Sequence, residues 1–243
     1  MRLVKLDATS STNDFLKELA ASQMLENFTT VTAESQTKGR GQMGAQWHSE
    51  KGKNLIVSIL VREALSDINQ IYHLNVAVAL AVISALERYE MPQLSIKWPN
   101  DIMSGNKKIG GILIENTIKT NGEIISIAGI GLNVNQTDFS QLPKASSLAV
   151  IMDAVFDKDE LLVEIVNRLE TNVEALQNNQ SEGLWSAYIS KLFKKGIPMP
   201  FEYKTGLKFM GIVQNVTPNG KLELLLEDDS VQIFEIKEIQ MLY

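Results

Sequence analysis

The stretch from Glu34 to Trp47 reads Glu-Ser-Gln-Thr-Lys-Gly-Arg-Gly-Gln-Met-Gly-Ala-Gln-Trp, and it concentrates groups suited to holding an anion. Gly39, Gly41 and Gly44 free the backbone to take φ > 0 and to approach a ligand closely. The N–H groups of such a loop form a concavity that accepts negative charge. Arg40 adds a planar fork of donors that matches a carboxylate or a phosphate, and Trp47 closes the stretch with a flat apolar face. The spacing Gly39-x-Gly41-x-x-Gly44 also fits the dinucleotide fingerprint by letter, but that fingerprint demands a helix directly after the last glycine. Residues 45–54 contain Gly52, many polar side chains and no 3.6-residue period, and Glu63 follows a strand with no helix between. The dinucleotide reading is rejected, and no P-loop sequence occurs.

Four further clusters carry chemistry. Ser11, Thr12 and Asn13 offer hydroxyls and an amide that either cap a helix or rim a polar ligand. Lys97-Trp98-Pro99-Asn100-Asp101 sets charges at the end of a strand that Pro99 stops. Lys108 precedes the pair Gly110-Gly111 inside a strand pattern, where glycines mark close approach of a ligand or another backbone. Gly129-Ile130-Gly131-Leu132-Asn133 repeats that signal.

The elements that must position these residues follow from periodicity. Residues 2–6, Thr29–Ala33, Leu55–Val61, Leu94–Trp98 and Glu123–Gly131 read as strands, with a further strand pattern from Lys107 to Glu115. A helix begins at Ser11–Asp14, with Phe15, Leu16 and Leu19 opening its apolar stripe. Ser66–Tyr89, capped by Ser66 and Asp67, is apolar nearly all round from Leu74 to Leu86, which predicts a central buried helix. Asp159–Gln177 and Ser181–Phe193 are amphipathic helices. From Ile197 the texture turns to short strands with turn signals at Lys204-Thr205-Gly206 and Pro218-Asn219-Gly220.

Composition sets the outer limits. The chain has 243 residues, 44% hydrophobic, with a net charge of −6. That charge argues against a dedicated nucleic-acid binder. With no cysteine, disulfides, thiolate zinc sites and a cysteine nucleophile are excluded, and with only His48 and His73 a multi-histidine metal site is not expected. No run approaches the roughly 20 apolar residues that a membrane span needs. The first residues lack the pattern of a secretory signal, so a cytoplasmic protein with no membrane partner is expected.

Taken in order, Ser11-Thr12-Asn13, Gln36 to Trp47, Lys97 to Asp101, Lys108 to Glu115 and Gly129 to Asn133 resemble the biotin protein ligase family, also called biotin–[acetyl-CoA-carboxylase] ligase. The resemblance runs through about residues 6–135 and more loosely through the β-rich tail. It implies an α+β fold, in which a mixed β-sheet packed with helices forms a class II synthetase-like catalytic domain (residues 1–194). A small C-terminal SH3-like β-barrel would follow (residues 195–243). It implies ATP and biotin as substrates, with Mg²⁺ accompanying the ATP, and biotinyl-5′-adenylate as intermediate. The acceptor would be a lysine of a biotin carboxyl carrier protein. By resemblance, Arg40, Lys97, Asp101 and Lys108 are catalytic. Ser11, Thr12, Asn13, Gln36, Gly39, Arg40, Gly41, Gln42, Lys108, Gly111 and Gly131 would meet biotin, and Arg40, Gln42, Trp47, Lys97, Asn100, Lys108 and Asn133 would meet ATP. The glycine loop would close over the adenylate, mobile until ligand binds. Gln42 stands where many members have a basic residue, and the tail lacks an expected glycine near Phe234–Ile239. A homodimer through the central sheet is an option the resemblance brings with it.

Three other readings compete. Lipoate–protein ligases also make an acyl-adenylate, but lack as a family the Gly-Arg-Gly loop joined to Lys-Trp-Pro-Asn-Asp. A biotin-responsive regulator would carry a winged helix-turn-helix before the Ser-Thr-Asn motif, and only ten residues precede Ser11. No DNA partner is expected on that ground. A dead biotin-binding module would not need Arg40, Lys97 and Lys108.

Overall fold

A computed structural model describes residues 2–65, 67 and 70–243, and of Met43 only the backbone. Seven strands form one sheet: β1 (Leu3–Thr9), β2 (Thr30–Gln36), β3 (Leu55–Arg62), β4 (Leu94–Lys97), β5 (Asp101–Ser104), β6 (Lys107–Ile118) and β7 (Ile124–Leu132). Their order is β1-β2-β3-β7-β6-β5-β4. Only β1 and β2 run parallel, joined by a crossover through helix α1 (Thr12–Ser22); the other pairs are antiparallel. The mixed sheet packed with helices is the α+β class the sequence implied.

Both faces of the sheet are covered. On one, Leu16 of α1 is fully buried with Val31, Leu60 and Ile127. On the other lies α2 (Ile71–Glu87), whose side chains from Leu74 to Ile83 are all buried. Helices α4 (Lys158–Gln177) and α5 (Ser181–Ser190) cover its outer side, and Asn172 of α4 donates to the Ala77 carbonyl over 2.9 Å. This double cover explains why α2 has no polar stripe, and why β3 reads Leu-Ile-Val-Ser-Ile-Leu-Val with every one of those residues buried. A short helix, α3 (Leu148–Met152), is capped by Ser147.

A second, antiparallel sheet follows, built from β8 (Pro198–Tyr203), β9 (Lys208–Val216), β10 (Leu222–Leu226), β11 (Val231–Phe234) and β12 (Ile239–Met241), in the order β11-β10-β9-β8-β12. Phe201, Phe209 and Phe234 stack inside it at centroid distances of 5.7 Å. Its buried Phe201, Val213 and Leu222 join the same apolar cluster as α2.

Two helices differ in extent from expectation, and α2 ends at Glu87 rather than Tyr89. Helix α2 starts at Ile71, not Ser66; the Asp67 carbonyl accepts from Gln70 N at 3.0 Å in a turn ahead of it, and Ser66 itself lies outside the described residues. Helix α5 stops at Ser190, not Phe193, because the next backbone groups pair with the edge of β4: Ile96 N donates to Lys191 O at 2.8 Å and Phe193 N to Ile96 O at 2.9 Å. The sheet edge takes the hydrogen bonds that the helix would have used.

Candidate active site

The site lies where α1, β2, β3, β6 and β7 meet, and its first part is a polar floor. Ser11 caps α1, its hydroxyl accepting from Asp14 N at 3.4 Å. The cap leaves Thr12 and Asn13 buried at the helix start. Gln36 Oε1 accepts from the Thr12 backbone N at 2.7 Å and from the Thr12 hydroxyl at 3.1 Å. Ser58, the lone polar residue in the apolar run of β3, donates to Asn13 Oδ1 at 2.6 Å and lies 2.8 Å from Thr12 Oγ1. Asn13 Nδ2 donates to Glu115 Oε2 at 2.8 Å. Both ends of the Asn13 amide are thus fixed, as a buried amide requires. Burial alone would raise the Glu115 carboxyl, but hydrogen bonds from Asn13 and Lys17 and the charges of Lys17 and Arg40 hold it below the usual range.

The second part is cationic. β4 and β5 form a hairpin that pairs Lys97 with Asp101 across the tip Trp98-Pro99-Asn100. Asp101 Oδ1 is 2.6 Å from Lys108 Nζ, and Oδ2 is 3.7 Å from Lys97 Nζ. One carboxylate therefore stands between two ammonium groups. Burial, and to a lesser degree the charge of Lys108, lowers Lys97 below the ordinary lysine value, with Asp101 opposing. The Tyr243 ring flanks this cluster, 5.2 Å from Lys97 Nζ and 4.5 Å from Lys144 Nζ.

The glycine loop closes the site. Main-chain bonds tie it to itself: Gly41 N to Ala45 O at 2.7 Å and Trp47 N to Gly39 O at 3.0 Å. Arg40 reaches Asp14 at 2.5 Å and Glu115 at 3.0 Å. Trp47 lies against β7, so closely that a Cβ at Gly131 would stand 2.5 Å from its Cε2. Here the need for glycine is steric, since only a missing side chain admits the indole. Two polar atoms of the loop, Trp47 Nε1 and Gln42 Oε1, are buried without a hydrogen-bond partner. An orphaned donor and acceptor beside a cavity fit a site meant to meet a polar ligand.

One cavity of about 230 Å³ runs between these parts. Of the residues expected to act, it gathers Ser11, Thr12, Asn13, Gln36, Arg40, Gly41, Gln42, Trp47, Asn100, Asp101, Lys108, Gly111 and Gly131. Lys97 lines a second cavity of about 630 Å³ between the hairpin tip and the second sheet, where Asn100 and Gln42 are shared walls. Gly39 lines a third cavity, which shares Gln36, Arg40, Gly41 and Trp47 with the first. Asn133 lines none of these cavities: it is buried and donates to the Ser146 carbonyl at 2.9 Å. Ser58, Asp14 and Tyr243 were not singled out from the sequence. Ser58 had a signal, a hydroxyl alone in an apolar strand; Asp14 and Tyr243 had none. Among the described residues no group of three or more His, Cys, Asp or Glu could hold a metal ion.

Residues 6–135 match the model of the biotin/lipoate A/B protein ligase family. The bifunctional ligase/repressor BirA of Bacillus subtilis is 38% identical over 134 residues, 55% of this chain and 41% of that protein. The chain thus spans less than half the length of that relative. The biotin–[acetyl-CoA-carboxylase] ligase of Mycobacterium tuberculosis is 28% identical over 88% of this chain and 79% of its own. Among solved structures, a biotin protein ligase from Aquifex aeolicus in complex with biotin and ATP superposes with a TM-score of 0.81 at 26% identity, covering 99% of this chain and 98% of that one.

Proposed function

Because the chain belongs to the biotin/lipoate A/B protein ligase family, we propose that it is an ATP-dependent biotin protein ligase. In the first step the biotin carboxylate attacks the α-phosphorus of ATP, giving biotinyl-5′-adenylate and pyrophosphate. In the second, a lysine amine of a biotin carboxyl carrier protein attacks the acyl carbon, and AMP leaves. We place this activity in the cytoplasm. Residues 1–194 would carry the chemistry, and residues 195–243 would back the hairpin that bears Lys97 and Asp101.

The observation that carries the reading is one cavity with a polar floor at one end and a lysine–aspartate cluster at the other. The floor of Thr12, Asn13, Gln36 and Ser58 offers both donors and acceptors, as a ureido ring needs. A lipoyl dithiolane offers that floor no hydrogen-bonding group. At the other end, a carboxylate and a phosphate about 4 Å apart repel by roughly 4 kcal/mol at an effective dielectric of 20. Lys108 would offset that repulsion between the two anions. Arg40 would bind the adenylate from the loop, and Lys97 would face the leaving pyrophosphate. Such a step needs positioning and charge, not a protein nucleophile. Mg²⁺ would arrive with ATP as part of the substrate, since the chain offers no carboxylate cluster of its own among the described residues.

Transfer needs a neutral amine, while an ordinary lysine with pKa about 10.4 is almost wholly protonated at pH 7. Asp101 would orient that amine or take its proton. The test is ATP–pyrophosphate exchange with biotin or lipoate supplied singly. Exchange with biotin alone supports the reading, exchange with lipoate alone rejects it, and exchange with neither leaves a binding module.

A further inference from the structure

Helix α2 is apolar from Val76 to Ile83, and toward its start Tyr72, His73 and Asn75 break the pattern. A buried amide left without a partner costs about 1–3 kcal/mol, so Asn75 at 6% exposure must be there for a reason. Its Nδ2 donates to the carbonyl of Pro99 at 3.1 Å. Tyr72, three residues earlier on the same face, donates its hydroxyl to the same oxygen at 3.3 Å. The Tyr72 oxygen also lies 2.8 Å from the Tyr188 hydroxyl, which can donate to it. Two donors from one rigid helix therefore converge on a single carbonyl.

Pro99 is the middle residue of the tip between β4 and β5, so that carbonyl sits between Lys97 and Asp101. The rest of the tip is held as firmly. Trp98 Nε1 donates to Gly220 O of the second sheet at 2.8 Å. Asn100 Nδ2 donates to Ile112 O at 2.7 Å, and Ile112 N returns to Asn100 O at 3.0 Å. The second sheet also braces Tyr72: a Cβ on Gly220 would stand 2.2 Å from Tyr72 Cδ2. Neither Tyr72 nor Asn75 lines the two cavities, so neither touches what binds there.

We propose that Tyr72 and Asn75 are positioning residues, which by gripping the Pro99 carbonyl set where Asn100 and Asp101 stand relative to Lys97 and Lys108. The kinetic side of this proposal rests on the biotin ligase reading. Displacing reacting groups by about 1 Å can cost 10²-fold in rate. Removing one donor by Asn75→Leu, which keeps the number and branching of side-chain heavy atoms and suits a helix, is expected to lower kcat of both half-reactions about tenfold. Removing both by Tyr72→Phe with Asn75→Leu is expected to lower it a hundredfold or more. KM for biotin should stay within twofold, because the Ser11–Asn13, Gln36 and Ser58 floor is untouched. A loss of packing alone would not separate kcat from KM in this way. Hydrogen exchange gives a readout without substrate: amides of Lys97, Trp98, residues 100–103 and Ile112 should exchange faster in Asn75→Leu, and those of β1 to β3 should not.

Unchanged exchange in the hairpin, or kcat within twofold of the parent in the double variant, overturns the proposal. So does a rise in KM for biotin that matches the fall in kcat. If Asn75→Leu does not fold, Tyr72→Phe alone carries the same measurements, since it keeps the ring. A parent protein with no biotin-dependent exchange overturns the ligase reading instead, and the hydrogen-exchange result then decides the positioning role by itself.

Discussion

Gly129 offers the sharpest test of the polar floor. It sits on β7 between Ser58 of β3 and Leu113 of β6, on the face that meets α1. A Cβ added there would stand 2.4 Å from Asn13 Oδ1 and 3.0 Å from Asn13 Cγ. Carbon–oxygen contacts normally close to no less than about 3.3 Å, so the Asn13 amide must retreat by nearly 1 Å or the strand must move. Retreat is resisted from both ends, by the 2.6 Å bond from Ser58 and the 2.8 Å bond to Glu115. The neutral bond is worth about 0.5–1.5 kcal/mol and the charge-assisted one about 1.5–3. Partial relaxation makes a total near 1–3 kcal/mol the expectation for Gly129→Ala, in line with other overpacked sites. Much of it should appear in ligand affinity, because Asn13 faces the cavity. At about 1.4 kcal/mol per factor of ten, biotin binding should weaken 10- to 100-fold by calorimetry at 25 °C. Gly183→Ala is the control: nothing lies within 4 Å of its Cβ position in α5, and the change should leave affinity alone while raising stability by up to about 1 kcal/mol. Biotin affinity within twofold of the parent in Gly129→Ala, with an unchanged melting temperature, would refute the reasoning.

Asp101→Asn should slow transfer from preformed adenylate by about 10²–10⁴-fold, the range for a general base, while ATP–pyrophosphate exchange falls much less; equal loss of both would remove Asp101 from the transfer step. Burial lowers Lys97, so its charge should be lost at a pH below the ordinary lysine value, and exchange activity should fall there. Lys97→Arg keeps its charge and should move that alkaline decline to higher pH; an unmoved limb would mean that Lys97 ionisation does not control it. Glu115→Gln removes one of the two carboxylates holding Arg40, so protease should cut the ligand-free loop between Gly39 and Gly44 faster. Equal cutting in parent and variant would show that the ion pair does not restrain the loop. Gln42→Arg adds charge where Gln42 leaves a buried oxygen unmatched, and should slow release of free adenylate in a stopped-flow chase; unaltered release counts against that role.

What could be read from the sequence divides along local and non-local lines. The helix at Thr12, the strands at β2 and β3 and the apolar run of α2 follow from short-range periodicity, and all are present. The end of α5 was not legible, because what stops it is the edge of β4, nearly a hundred residues away in sequence, and a competing hydrogen-bond partner leaves no local mark. The same holds for the site. Glycines announce close approach, but not to what: Gly131 is bare for Trp47, Gly129 for Asn13 and Gly220 for Tyr72. Asn133, expected to meet ATP, donates its amide to the Ser146 carbonyl, a partner that nothing near it in sequence announces. Asp14 and Glu115 matter to Arg40 only because α1 and β6 meet over the loop.

Those two carboxylates change the physical picture of the loop. A glycine-rich segment that had to be ordered wholly by its ligand would cost about 1–2 kcal/mol of backbone entropy per residue fixed. Here the main chain pairs Gly39 with Trp47 and Gly41 with Ala45, and those bonds would offset part of that cost. Arg40 is held too, yet weakly: its side chain is 41% exposed, and pairs so exposed are worth about 0–1 kcal/mol each. The phosphate of an adenylate would offer Arg40 one negative charge and two non-bridging oxygens, in a cavity from which water is partly excluded. Such an anion would compete with Asp14 and Glu115 for the Arg40 guanidinium. Displacing Glu115 would leave it to Asn13 and Lys17, because the floor and the loop share that one carboxylate.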